Sequence, residues 1–231
     1  MTGDLHTGRY RIEPGREVHF NKFDPEETSG FEWKDADERD ESKKLNQKLR
    51  QLQEMLYAEH KMKVLVILQA VDTGGKDGVI HRVFEGVNPQ GVQVAHFGVP
   101  TPEELDHDFL WRHHKRVPGR GELVIFNRSH YEGVLVERVH KLVPEEVWKR
   151  RYREINDFER LLSEEETVIL KFYRTLARMN RRSVYRSVLK ILPRNGSSVA
   201  TICRSENIGT STWWPTRMRL ARLVRIGPHG T

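Results

Sequence analysis

The sequence predicts an α/β fold, with a mostly parallel sheet and helices on both of its faces. Three observations carry this expectation. Four short apolar runs recur between residues 63 and 173, segments of helical periodicity alternate with them, and the first run opens directly into a glycine-rich turn.

Each element follows from its own pattern. Between Asp40 and Lys61 the residues Leu45, Leu49, Leu52 and Leu56 fall on one helical stripe. Lys63 to Ala70 (KVLVILQA) is apolar at consecutive positions, as a central parallel strand buried on both faces must be. Val92 to Phe97, Glu122 to Phe126 and Thr167 to Tyr173 are the further strands. Glu103 to His114 reads as one helix. Glu145 to Leu162 reads as another, with Trp148, Tyr152, Ile155, Phe158 and Leu162 on one side. In such a sheet, ligands lie at the carboxyl ends of the strands.

A chain of 231 residues is long enough for one sizeable core. At 31% charged residues and a mean hydropathy of −0.67, it has no apolar run near the ~20 residues that a membrane span needs. Its first residues, MTGDLHTGRY, contain no apolar stretch, and the single cysteine, Cys203, excludes an internal disulfide. A cytoplasmic protein without a membrane partner is expected. The net charge of +6 is unevenly spread. Residues 174–231 hold 12 basic side chains and one acid, Glu206, leaving residues 1–173 with 27 basic and 32 acidic ones. The chain is compositionally two pieces.

The chemistry belongs to the first piece. Directly after the first central strand comes Ala70-Val71-Asp72-Thr73-Gly74-Gly75-Lys76-Asp77-Gly78. Strand, glycine turn and a lysine opening a helix make a phosphate cradle, in which backbone N–H groups and the helix N-terminus face the anion. Ala70 stands in place of the first glycine of the strict GxxxxGK[ST] pattern, and Asp77 stands where Ser or Thr would hold Mg²⁺. Read alone, Gly-Gly-Lys is also compatible with a plain tight connection. After the strand Glu122 to Phe126 come Asn127, Arg128, Ser129, His130, Tyr131 and Glu132. A nucleotide-binding fold places its metal-holding residue there, usually an Asp. With a neutral amide at Asn127, Asp72 becomes the better Mg²⁺ ligand, while Arg128 can clamp a phosphate bidentately. Taken by itself, Asn-Arg-Ser also suits a helix cap. Asp106-His107-Asp108 and His113-His114 match no standard metal spacing and read as a solvated helix face. Arg112, Lys115, Arg116 and Arg120 are either phosphate contacts or exposed charge.

Together the strings VILQAVDTGGKDG, EGVNPQG, HDFLWR, VIFNRSHYEGVLVERVHKLVPEEVW and VILKFY resemble the polyphosphate kinase 2 family. The resemblance implies a P-loop kinase-like, three-layer α/β/α fold similar to thymidylate kinase. It also implies phosphoryl transfer between inorganic polyphosphate and an adenine nucleotide, AMP or ADP, with Mg²⁺ or Mn²⁺ in its place. Asn rather than Asp in FNRSHYE is similar to the branch that phosphorylates AMP and often ADP. Carried over by the resemblance, Gly74, Gly75, Lys76 and Arg128 bind phosphate, and Lys76, Asp72 and Arg128 are catalytic. Asp72 and Asn127 serve the metal, and Glu132 is the lid-side acid. Family members are homo-oligomers, and no specific nucleic acid partner is implied. Gly133, where the family usually has Asp, and the order His81-Arg82 depart from the pattern. The rivals are an ATP-dependent nucleoside monophosphate kinase and a non-catalytic polyanion-binding remnant.

The resemblance stops at Tyr173, where relatives continue roughly LHISKDEQKERL. Residues 174–231 are instead rich in Arg and Ser and include Trp213-Trp214 and Pro193, a composition typical of a coding sequence read out of frame. CTG CAC ATT AGC AAG GAT encodes LHISKD. Deleting its second base gives CGC ACA TTA GCA AGG ATG, which encodes Arg174-Thr175-Leu176-Ala177-Arg178-Met179. The expectation is a truncated P-loop domain at 1–173 followed by an irregular, out-of-frame basic tail at 174–231, with transfer impaired by that tail. A genuine basic extension that binds polyanions is the other reading.

Overall fold

The computed structural model describes Ile12 and residues 35–70, 75–139 and 143–174. The reading of residues 174–231 as an irregular tail falls outside them except at Arg174, which is not irregular but ends the last strand through its register with Ala70. Helix α1 (Asp35–Glu59) leads into β1 (Lys63–Ala70), followed by α2 (Lys76–Val83) and β2 (Val92–His96). Two single-turn helices, α3 (Pro102–Leu105) and α4 (Trp111–His114), precede β3 (Leu123–Asn127). After it come α5 (Glu132–Val139), α6 (Glu145–Glu164) and β4 (Thr167–Arg174).

The strands form one parallel sheet in the order β2-β3-β1-β4. The apolar runs explain this order. β3 is buried at all five positions, as an interior strand must be, whereas β4 alternates between covered and exposed residues because it lies at an edge. The two faces carry separate cores. Leu65, Ile67, Val124 and Phe126 pack on one side with Phe158 and Leu162 of α6. Val66, Leu123 and Ile125 pack on the other with Leu56 of α1 and with Ile80 and Phe84 of α2. The expected three-layer α/β/α arrangement is therefore present. On the second face, however, the β4 residues Val168, Leu170 and Phe172 remain 38%, 40% and 54% exposed.

The helix expected over 103–114 is not continuous. Thr101 and Glu104 form a reciprocal capping box that starts α3, but Asp108 Oδ1 accepts from the Leu110 amide at 2.9 Å. That local bond competes with helical pairing, as short Asp side chains do, and the chain restarts at Trp111. Nor is His113 solvated. It is 5% exposed, stacks on Phe97 at 4.2 Å and donates through Nδ1 to the Phe109 carbonyl at 3.1 Å. Among the described residues no helix is long and apolar enough to cross a membrane.

Candidate active site

The connections after β1 and β3 leave on opposite faces of the sheet, α2 packing on one and α6 on the other. A crevice therefore opens between the carboxyl ends of these two neighbouring strands. Residues 71–74, including the expected site residues Asp72 and Gly74, lie outside the described residues. Gly75 caps α2 in the left-handed region, at φ 67° and ψ 29°, which glycine adopts without steric cost. No side chain caps this helix end, so its first amides point toward the strand ends together with the positive end of the helix dipole. Lys76 Nζ reaches back to the Ala70 carbonyl at 3.5 Å, bridging the strand end and the helix start.

The segment after β3 closes the other side. Asn127 is buried, and its Nδ2 donates to Asp77 Oδ1 at 2.5 Å, tying the end of β3 to the first turn of α2. Arg128 has a φ of 64°, a strained value for a residue with a side chain, and its amide donates to the Leu68 carbonyl at 3.2 Å. Gln69 then acts in two directions. Its Nε2 donates to Glu132 Oε1 at 2.6 Å, while its Oε1 accepts from Ser129 Oγ at 3.2 Å. One buried amide at the end of β1 thus fixes both the turn after Arg128 and the acid that opens α5.

Behind this segment lies a buried charge cluster. Glu159 of α6 accepts from His130 Nε2 at 3.2 Å, from Tyr131 Oη at 2.8 Å and from Lys171 Nζ of β4 at 2.7 Å. Lys171 also donates to Tyr131 Oη at 3.1 Å. Burial pushes the Glu159 carboxyl upward, but the hydrogen bond from His130 and the charge of Lys171 outweigh it and hold the group at about 2. Burial, with the adjacent Glu159 charge and hydrogen bond, raises the Tyr131 phenol well above its ordinary value. His113 is lowered to about 3, first by burial and then by neighbouring His130.

Of the residues expected from sequence, Gly75, Lys76, Asn127, Arg128 and Glu132 thus gather at one end of the sheet. The basic stretch is largely structural. Arg112 pairs with Glu104 at 3.4 Å and donates to the Gly98 carbonyl at 3.1 Å, Lys115 lies 4.0 Å over the Trp111 ring, and Arg120 pairs with Glu166 at 3.4 Å. Two residues without an expected site role enter the crevice: Asp77, whose only sequence signal was its place after Gly-Lys, and Gln69, which looked like one more strand position.

Among the described residues no group of three or more His, Cys, Asp or Glu could enclose a metal ion. What the crevice offers is hard oxygen donors, with the Asp77 carboxylate beside the Asn127 amide. This set fits Mg²⁺, which usually binds through one or two carboxylates plus water and substrate phosphates rather than in an all-protein cage.

A sequence profile described as polyphosphate kinase 2 matches residues 32–188. The chain belongs to the polyphosphate kinase 2 family. It is 55% identical over 174 residues to an AMP/ADP-polyphosphate phosphotransferase of Meiothermus ruber, covering 75% of this chain and 65% of that protein. It is 38% identical over 190 residues to an ADP-polyphosphate phosphotransferase of Rhodopseudomonas palustris, covering 77% of this chain and 65% of that protein. The crystal structure of polyphosphate kinase 2 from Arthrobacter aurescens TC1 superposes with a TM-score of 0.76 at 36% identity, covering 84% of this chain and 70% of that one. The chain thus spans 65% of the length of the two curated relatives.

Within this polyphosphate kinase 2 domain, two glycines are fixed by what surrounds them. A Cβ on Gly133 would lie 2.8 Å from Phe109 Cδ2, and the Gly133 carbonyl accepts from Arg151 Nη1 at 2.8 Å. The Asp that the resemblance implied at this position would therefore displace the Phe109 ring, over which Arg151 lies at 4.4 Å. At Gly75 a Cβ would meet Arg174 Nη1 at 2.8 Å, on a backbone already in the left-handed region. Gly75→Ala is expected to cost about 1–2 kcal/mol from the backbone alone. Thermal melting should register a fall of roughly 2–8 °C in Tm.

Proposed function

We propose that this domain transfers phosphoryl groups between inorganic polyphosphate and an adenine nucleotide, AMP or ADP, in the cytoplasm and with Mg²⁺. Mn²⁺ serves in its place, and no specific nucleic acid takes part. The observation that carries the reading is the joined strand-end cluster, in which Lys76 opens α2, Asn127 is bonded to Asp77, and Arg128 and Glu132 follow on one short segment. Its support from outside the chain is the similarity to the two phosphotransferases of Meiothermus ruber and Rhodopseudomonas palustris.

Phosphoryl transfer needs alignment and charge neutralisation more than covalent participation by the protein. In this reading the α2 amides, Gly74, Gly75 and Lys76 seat a phosphate group, and Arg128 holds a neighbouring one. Asp72, Asp77 and Asn127 would hold the metal, which when bound would neutralise phosphate charge during transfer. Glu132, restrained by Gln69, presents a carboxylate at the lid side of the crevice. Polyphosphate is a dense linear anion, so a channel of donors and cations suffices to bind it.

The reading extends to the frame. We take residues 174–231 to be out of frame, which deprives the domain of the segment its relatives use to complete the fold, and transfer is impaired accordingly. The exposed row Val168, Leu170 and Phe172 supports this, because apolar residues on one strand face are normally covered. The test compares the chain as written with a version whose frame is restored after Tyr173. Each receives polyphosphate or ATP as donor and AMP or ADP as acceptor. Transfer from polyphosphate, confined to the restored version, is the expected result. Transfer from ATP alone would replace the reading with an ordinary nucleotide kinase, and equal activity in both chains would remove the tail from the account. Polyphosphate binding without transfer in either would leave a polyanion-binding remnant.

A further inference from the structure

The ladder between β1 and β3 ends at the pair Leu68–Asn127, and the chain then turns at Arg128, whose amide bonds back to the Leu68 carbonyl at 3.2 Å. Gln69 stands one residue beyond that last pair, still in register with Tyr173 of β4, and strand alternation puts it on the same sheet face as Leu65 and Ile67. A buried amide at that place needs partners for both of its polar ends. It finds them on the turn. Ser129 Oγ, itself fully buried, accepts from the Tyr131 amide at 3.3 Å and gives its one proton to Gln69 Oε1 at 3.2 Å. Gln69 Nε2 is thereby directed to Glu132 Oε1 at 2.6 Å. A reversed amide would set its oxygen against the carboxylate, so the direction of the whole chain of bonds is fixed.

Resting on the proposed function, we infer that Gln69 is a positioning residue for transfer, acting through Glu132: it holds that carboxylate in one orientation at the crevice, with Ser129 as its anchor. An N–H bond to a carboxylate is charge-assisted and stronger than a neutral one, and a side chain on an interior strand is a rigid support for it. The anchor is rigid as well. Arg128, at a φ of 64°, keeps its strained backbone only where its surroundings over-determine it, and the bonds from its own amide to Leu68 and from Ser129 to Gln69 do so on either side. None of these links involves the glycine turn or the chain beyond Tyr173.

The test is steady-state transfer from polyphosphate to ADP, with thermal melting alongside, in the version whose frame is restored after Tyr173. Q69M keeps the length of the side chain but neither bond. Its kcat should fall roughly 10–100-fold, the cost of letting a positioned group drift by about an ångström, while KM for polyphosphate is largely kept. Q69E keeps the bond from Ser129 and removes only the donor to Glu132, so it should lose kcat as Q69M does, and it decides the matter if Q69M melts early. E132Q supplies the background that separates positioning from general support. In it, neither Q69M nor Q69E should slow transfer further, because the group they would misplace is already gone. Losses that multiply in that background would overturn the inference, making Gln69 a support of the fold alone. Parental kcat in both Q69M and Q69E would overturn it too, and either result leaves the proposed function standing. Failure of the restored parent to transfer from polyphosphate would remove both.

Discussion

Lys76→Ala should reduce transfer from polyphosphate by about 10²–10³-fold, the usual cost of removing one preorganised group that stabilises developing charge. Lys76 combines three conditions that no other cation among the described residues shares. It opens α2 immediately after the left-handed Gly75, its ammonium spans to the strand end at Ala70, and it stands at the positive end of the helix dipole. The effect should fall on kcat more than on KM, because Arg128 and the helix amides continue to hold the ground-state anion. Lys76→Arg should recover only part of the rate, since a planar fork cannot take the place of a compact ammonium between Ala70 and the phosphate. Steady-state assays on the frame-restored version, with polyphosphate and ADP, supply the measurement. Unchanged turnover in Lys76→Ala would remove the residue from the mechanism.

How much of this was legible in the sequence depended on whether a signal was local. β1 and β3 announced themselves because an interior parallel strand is apolar at consecutive positions, and α6 did so through its single apolar side. The start of α2 at Lys76 was legible because strand, glycines and lysine are contiguous. The Glu103–His114 region misled because its apolar spacing is helical, whereas Asp108 diverts the backbone through a bond only two residues long. His113 was read as solvated because nothing local shows that Phe97, 16 residues earlier, will cover it. Asp77 and Asn127 meet across a separation of 50 residues, and Glu159 reaches Tyr131 across 28. Such pairings are products of sheet register, so only the assembled fold displays them.

The Glu159 cluster is where that assembly has its largest predicted effect on stability. Glu159→Leu should destabilise the domain by about 3–5 kcal/mol, since it removes the buried carboxylate to which His130, Tyr131 and Lys171 all donate. Replacing both partners, as Glu159→Leu with Lys171→Met, should cost clearly less than the sum of the two single changes, because the two groups are in direct contact and are removed together. Urea unfolding of the four proteins measures this coupling, and strict additivity would refute it. The pH dependence gives an independent check. Glu159 is held at about 2, below its ordinary 4.5, so its contribution is complete above pH 4.5 and is lost as pH falls toward 2. His113 is held at about 3, below its ordinary 6.5, so its contribution is complete above 6.5 and declines from there toward 3. Stability should therefore begin to fall below about pH 6.5, through His113, and steepen below 4.5 as Glu159 joins it. The Glu159→Leu protein should show only the first decline. Because His130 and Tyr131 stand between Arg128 and Glu132 in sequence and both bond to Glu159, loss of the cluster should also loosen the turn that aims Arg128. Transfer should then fail at denaturant concentrations below those that unfold the domain.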